Sequence, residues 1–203
     1  MSRVCRGTAE ALVALAEGQV VGIPTDTVYG LVIDPTREGA FAALYRAKGR
    51  PDSVPLQVLV ADLEQAEGLV AGGVLPRSAK RLAERHWPGG LTMVLPRAPG
   101  LGFELGGDGY SIGLRCPAHP LARGLCSEAG PLGASSANLH HQRPLLTAAE
   151  ISEAFGESVP VVVDGGACGG TASTVVDLTG DEPRCLREGS IPWSVILEVL
   201  AGS

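Results

Sequence analysis

The sequence predicts an α/β fold: one twisted, open mixed sheet with flanking helices, in a single domain over residues 1–203. Short apolar runs bounded by turn residues alternate with stretches whose apolar side chains recur every three or four positions. Polar clusters fall at the ends of the apolar runs rather than inside them. A chain of 203 residues with 45% hydrophobic side chains is also long and apolar enough to bury one sizeable core.

Taken in order, Thr8 is placed to cap a helix to about Glu17, with Leu12 and Leu15 among its apolar positions. Gln19 to Ile23 reads as a buried strand, and Pro24-Thr25-Asp26-Thr27-Val28-Tyr29-Gly30 as the polar loop behind it. Thr36 is expected to open a second helix, where Ala40, Phe41, Leu44 and Tyr45 make an apolar stripe that puts Lys48 at or just past its end. A strand over Leu56 to Ala61, a cap at Asp62 and a helix from Arg77 to His86 follow, the last stopped by Trp87-Pro88-Gly89-Gly90. Strands are expected at Leu91 to Leu95, Ser111 to Arg115, Leu132 to Ser135, Val159 to Asp164, Thr174 to Leu178 and Arg184 to Arg187. The remaining helices run from about His119 to Glu128, from the capping box Thr147-Ala148-Ala149-Glu150, and from Pro192 to Leu200. In such sheets ligands lie outside the strand ends, where these polar loops converge.

Composition narrows the function. No uncharged apolar run approaches the roughly 18 residues that span a membrane, and the N-terminus lacks the apolar core of a secretory signal, so a cytoplasmic protein is expected. The net charge of −6, with no basic stripe, argues against strong binding to a nucleic acid backbone and leaves tRNA contact as a weak event. Cysteines at 5, 116, 126, 168 and 185 have neither disulfide nor zinc spacing and are expected to be small buried apolar residues. The four histidines show no ligand spacing, and no metal site is expected.

Gly-Lys-Ser/Thr loops, G-x-G-x-x-G, His-Glu-x-x-His and G-x-S-x-G are all missing. Gly165-Gly166-Ala167-Cys168-Gly169-Gly170 fits none of these patterns and reads as a mobile turn. What remains is specific. Only Lys48 and Lys80 are lysine among 16 basic residues, and Asn138 is the only asparagine. Lys48-Gly49-Arg50-Pro51 holds two cations near a strand mouth, and Ser135-Ser136-Ala137-Asn138 ends another strand, so together they suggest a nucleotide site. A solvated helix end at Lys48 and an ordinary Asx turn at Asn138 stand beside that reading. Arg115, closing an otherwise apolar strand end, needs a partner, and a carboxylate is the natural match. Ser173-Thr174 and Arg187 are weaker signals of the same kind.

Eight blocks, in order along nearly the whole chain, resemble the YrdC/TsaC family of threonylcarbamoyl-AMP synthases: Pro24-Thr25-Asp26-Thr27-x-Tyr29-Gly30, Lys48-Gly49-Arg50-Pro51-x3-Pro55-Leu56, Trp87-Pro88-Gly89-x2-Thr92, Gly113-x-Arg115-x-Pro117-x-His119-Pro120, Ser135-Ser136-Ala137-Asn138-Leu139, Asp164-Gly165-Gly166, Ser173-Thr174-Val175-Val176-Asp177 and Leu186-Arg187-x-Gly189. The resemblance implies a concave, basic cavity and a short form without the extra C-terminal domain of longer members. It implies the reaction of L-threonine, bicarbonate or CO2, and ATP to threonylcarbamoyl-AMP and pyrophosphate, the first step toward N6-threonylcarbamoyladenosine in tRNA, with downstream transferase proteins as partners. Carried over, Thr27, Arg115, the Ala134 backbone and Ser173 would hold threonine. Lys48, Arg50, Ser111, Ser136, Asn138 and Arg187 would bind ATP, with Lys48 and Arg50 also catalytic and Mg2+ carried on the phosphates.

The chain departs from the family pattern after Asn138, where Leu139-His140-His141-Gln142-Arg143 has one extra residue, and at Val54 and Leu59, which replace polar contacts of some members. Two other readings are weighed. One is a related carbamoyl-adenylate enzyme using carbamoyl phosphate, as in hydrogenase maturation. The other is a double-stranded RNA-binding module, against which the net charge of −6 counts.

Overall fold

The structure is a computed structural model and describes residues 1–49, 54–139 and 142–202. Its ten strands form one sheet in the order β1-β8-β2-β3-β7-β4-β6-β5-β9-β10. In chain order these are β1 (Arg3–Cys5), β2 (Val21–Ile23), β3 (Gly30–Ile33), β4 (Gln57–Leu59), β5 (Leu91–Pro96), β6 (Ser111–Arg115), β7 (Leu132–Ser136), β8 (Val161–Val163), β9 (Thr174–Asp177) and β10 (Arg184–Arg187). The helices are α1 (Ala9–Ala16), α2 (Ala40–Lys48), α3 (Leu63–Glu67), α4 (Arg77–His86), α5 (Pro120–Ala129), α6 (Ala148–Phe155) and α7 (Trp193–Ala201). Parallel pairs, such as β4 with β6, mix with antiparallel ones, such as β5 with β6, as expected for a mixed sheet.

Several local expectations need correcting. Thr8 precedes α1 but its side chain makes no capping bond, because its backbone is already in the helical region. Thr36 does not open α2. Its N–H and Oγ1–H both donate to Asp34 Oδ1, at 2.9 and 2.6 Å, closing a turn that delays the helix to Ala40. The short strands β1 and β3 were not anticipated. β1 is mostly exposed and carries no alternation, while β3 is buried throughout and follows the polar loop without a break. Asp62, by contrast, caps α3 by accepting from Gln65 N at 2.9 Å, and the capping box at Thr147 and Glu150 forms in both directions.

Side chains alternate across the sheet, and the two faces have different fates. One face presents Leu31, Ile33, Val58, Met93, Leu95, Ile112 and Leu114 to a core that also holds Phe41 and Leu44 of α2 and Leu82 of α4. The other presents Val21, Ile23, Val32, Leu59 and Leu132 to α1 and α5, where Leu15 and Leu125 pack. Burying each such side chain contributes roughly 1.5–3 kcal/mol. By register the second face continues from β7 to β9 as Ser136, Ala134, Gln57, Gly113, Thr92 and Val175. Here a cleft, rather than a helix, covers the sheet.

Candidate functional site

This cleft has a volume of about 320 Å3 and is lined by Thr27, Ser111, Arg115, Ala134, Ser136, Ser173 and Arg187 among others. Seven of the residues singled out in the sequence thus meet in one concavity, whose charged lining residues are the arginines 115 and 187. Strand parity explains the lining. In β6 the small or polar Ser111, Gly113 and Arg115 alternate with the buried Ile112 and Leu114, so the period that builds the core on one face builds the site on the other.

Arg115 is buried to 3% exposure at the cleft floor. Its guanidinium donates from Nη2 to Asp26 Oδ1 at 2.8 Å, from Nη1 to Thr27 Oγ1 at 2.9 Å and from Nε to the Gly89 carbonyl at 3.0 Å. The carboxylate expected of Arg115 is therefore supplied within the chain by Asp26. Burial lowers the Arg115 pKa and the Asp26 charge opposes that shift. Of the five guanidinium N–H groups, three have these acceptors, which leaves one on each terminal nitrogen. Asp26 Oδ1 also accepts from Ala118 N at 2.8 Å, anchoring the turn that follows β6.

Thr27 is oriented by proton accounting. Thr25 Oγ1 donates to the Val28 carbonyl at 2.6 Å. In the 2.9 Å pair with Thr27 it must therefore accept. Thr27 Oγ1 then donates to Thr25, accepts from Arg115, and offers the cleft a lone pair rather than a proton.

A second chain of hydrogen bonds crosses the floor. Arg187 reaches back from β10, donating from Nε and Nη2 to the Ser173 carbonyl at 3.0 and 2.8 Å and from Nη2 to Ser173 Oγ at 3.0 Å. Ser173 and Thr92 share a 3.0 Å contact. Thr92 donates its hydroxyl to Gln57 Oε1 at 2.9 Å, so Ser173 is the donor to Thr92. Gly189 permits the close return of the chain: a Cβ there would lie 2.3 Å from the Ala172 carbonyl oxygen and 2.6 Å from that of Ser173.

Lys48, the last residue of α2, is not a solvated helix end. At 2% exposure its ammonium donates to the carbonyl of Ser136, to that of Asn138 at 2.8 Å and to Asn138 Oδ1 at 3.1 Å. Asn138 Oδ1 also accepts from Ser136 Oγ at 2.6 Å, while its Nδ2 donates to Leu139 and Gln142 carbonyls at 2.9 and 3.0 Å. Lys48 and Asn138 thus form the wall behind Ser136. Arg50 lies outside the described residues, as do His140 and His141.

The glycine segment 165–170 is tied down rather than a free turn. Gly165 N donates to Tyr29 Oη at 3.3 Å, Tyr29 Oη donates to Gly166 O at 3.0 Å, and Gly170 N donates to Thr27 O at 2.8 Å. Burial raises the Tyr29 pKa and keeps the phenol neutral. Of the cysteines only Cys116 and Cys126 are buried as expected, and burial pushes the Cys126 thiol up to about 12. His119 is a cap, accepting at Nδ1 from Leu121 N at 3.3 Å. Among the described residues no group of three or more His, Cys, Asp or Glu could hold a metal ion.

Sequence reading passed over Thr25 and Gln57, which line the cleft, and Asp26, which pairs with Arg115. Asp26 could have been found as the one carboxylate of its polar loop. Gln57, between Leu56 and Val58, gave no signal.

The profile of the Sua5/YciO/YrdC family, described as "Telomere recombination", matches residues 13–189. A Mycobacterium tuberculosis protein provisionally named threonylcarbamoyl-AMP synthase is 42% identical over 96% of this chain and 89% of its own length. The threonylcarbamoyl-AMP synthase of Bacillus subtilis is 40% identical over 95% of this chain, which spans 56% of that longer protein. Among solved structures, Pyrococcus abyssi Sua5 complexed with L-threonine superposes with a TM-score of 0.89 at 32% identity, covering 98% of this chain and 61% of that one. Profile, relatives and superposition agree: the chain belongs to the Sua5/YciO/YrdC family.

Proposed function

We propose that the chain is a threonylcarbamoyl-AMP synthase, a nucleotidyltransferase that converts L-threonine, bicarbonate or CO2, and ATP to threonylcarbamoyl-AMP and pyrophosphate. The observation that carries this reading is Arg115: a buried guanidinium bonded to Thr27 in the cleft that Ser173 also lines, with two N–H groups not taken up by its three protein acceptors. Such a fork suits an amino-acid carboxylate. Relatives at 40–42% identity carry the synthase name, and a superposable protein was solved with L-threonine.

In this reading Arg115, Thr27, Ser173 and the Ala134 backbone hold threonine. Ser111, Ser136, Asn138, Arg187, Arg50 and the wall pinned by Lys48 hold ATP. The threonine amine adds to CO2, losing a proton and becoming a carbamate. A carbamate oxygen attacks the α-phosphorus, and the bond to pyrophosphate breaks. Little acid–base help is needed, so alignment and charge neutralisation carry the rate. Mg2+ enters as part of the MgATP substrate, carried on the phosphates. The reading places residues 1–203 in one YrdC-like domain, in the cytoplasm. It also places the chain upstream of the proteins that pass the threonylcarbamoyl group to tRNA, itself bound weakly at most.

The test is formation of the AMP-linked product from threonine, bicarbonate and ATP, with carbamoyl phosphate as the competing donor. Product that requires threonine and bicarbonate is expected. Product from carbamoyl phosphate alone would instead indicate the hydrogenase-maturation type of chemistry.

A further inference from the structure

Gln57 occupies a position that its motif does not explain. Its strand β4 lies between β6 and β7, and Gln57 pairs with Gly113 on one side and Ala134 on the other. One step along the same face toward Leu59 lies Arg115, paired with Leu59 itself. One step the other way lie Ser111, two residues before Gly113, and Ser136, two residues after Ala134. Gln57 therefore sits midway between the proposed threonine and triphosphate ends of the cleft. Because Gly113 has no side chain, the space beside Gln57 stays open: a Cβ there would touch Gln57 Cβ and Thr92 Cγ2, both at 3.6 Å.

The amide is also oriented. Arg187 Nη2 donates to Ser173 Oγ, Ser173 donates to Thr92, and Thr92 donates to Gln57 Oε1. With Oε1 held on the floor by this relay, the two Nε2 protons remain for the cleft that Gln57 lines, and no described residue accepts them. A donor pair fixed at this midpoint faces one group of the reaction. The carbamate joins the threonine nitrogen on one side and the α-phosphorus on the other, and it is anionic.

We propose that Gln57 is a further substrate-orienting residue, donating from Nε2 to a carbamate or bicarbonate oxygen between the amino acid and the nucleotide. Thr92 acts through Gln57 as a positioning residue. The assignment rests on the synthase reading above and names the residue that its carboxylation step needs.

The experiment is initial-rate kinetics in CO2-depleted buffer with bicarbonate varied, for wild type, Gln57→Leu, Gln57→Glu and Thr92→Val. Calorimetric titrations with threonine and with ATP, and thermal unfolding, accompany it. Gln57→Leu is expected to raise the half-saturating bicarbonate about tenfold, as for one lost hydrogen bond to a charged group, with threonine and ATP dissociation constants within about twofold. Gln57→Glu is expected to be more severe, since its carboxylate would face an anion, and Thr92→Val milder in the same direction. An active wild type whose bicarbonate dependence is unmoved in both Gln57 variants overturns this assignment alone. So does a Gln57→Glu chain more active than Gln57→Leu, or a threonine or ATP constant that moves as far as that for bicarbonate. A Thr92→Val chain identical to wild type overturns the relay. A folded wild type that forms no adduct at any bicarbonate concentration overturns the synthase reading and this assignment together.

Discussion

Arg115 and Lys48 are both cations buried to 3% and 2% exposure, yet they are satisfied in different ways. Arg115 has a charged partner, Asp26, plus two neutral oxygens, and retains N–H groups beyond them. Within the described residues, Lys48 gives its ammonium to three neutral oxygens of a single turn. A rigid five-donor fork can be anchored and still address a ligand, whereas a three-donor point charge surrounded by three acceptors is a structural pin. In the proposed synthase, the comparison would separate a residue that addresses substrate from one that shapes the wall beside it.

The largest effect that tests this distinction is at the fork. Arg115→Ala is expected to lower kcat/KM for threonine by roughly 100-fold or more, given the charge-assisted bonds lost, while the ATP dissociation constant changes far less. It should also cost roughly 3 kcal/mol in urea unfolding by leaving Asp26 without its partner. Equal losses for both substrates would dissolve the contrast.

Lys48→Met comes next. It keeps the stem and removes the donors, orphaning the oxygens of residues 136 and 138, so a stability loss of about 2 kcal/mol is expected. The KM for ATP should rise more than that for threonine. A fully stable variant with only kcat reduced would show instead that the ammonium works on substrate.

Asp26→Asn is the smallest and sharpest perturbation. The amide oxygen can still accept from Arg115 and Ala118, so geometry survives while the countercharge is lost. A change in threonine affinity of about tenfold or less, with unfolding free energy nearly unchanged, is expected from calorimetry and denaturant titration. Unfolding of the chain by this substitution would make Asp26 a stability element alone.

Much of the site was legible because its residues sit at strand ends and in alternating patterns. Ser111 to Arg115 shows its two faces in five letters, and the boundaries of α4, β6 and β10 fall where the sequence puts them. What could not be read is contact across distance. The acceptors of Lys48 lie 88 and 90 positions away, and the Asp26 partner of Arg115 lies 89 away. A solvated lysine and a buried one have the same neighbours in sequence. β3 was hidden for another reason: an all-buried strand directly after a polar loop lacks the alternation that would announce it.

The half-covered sheet has a consequence for how this chain can change. A single-residue insertion inside β6 would swing Leu114 into the cleft and bury Arg115 among aliphatic side chains, damaging catalyst and scaffold in one event. Errors of phase in the central strands are therefore screened out at folding, before any defective enzyme can meet its substrates. Changes of length are tolerated best in the connections between strands, where no side chain has to keep its face.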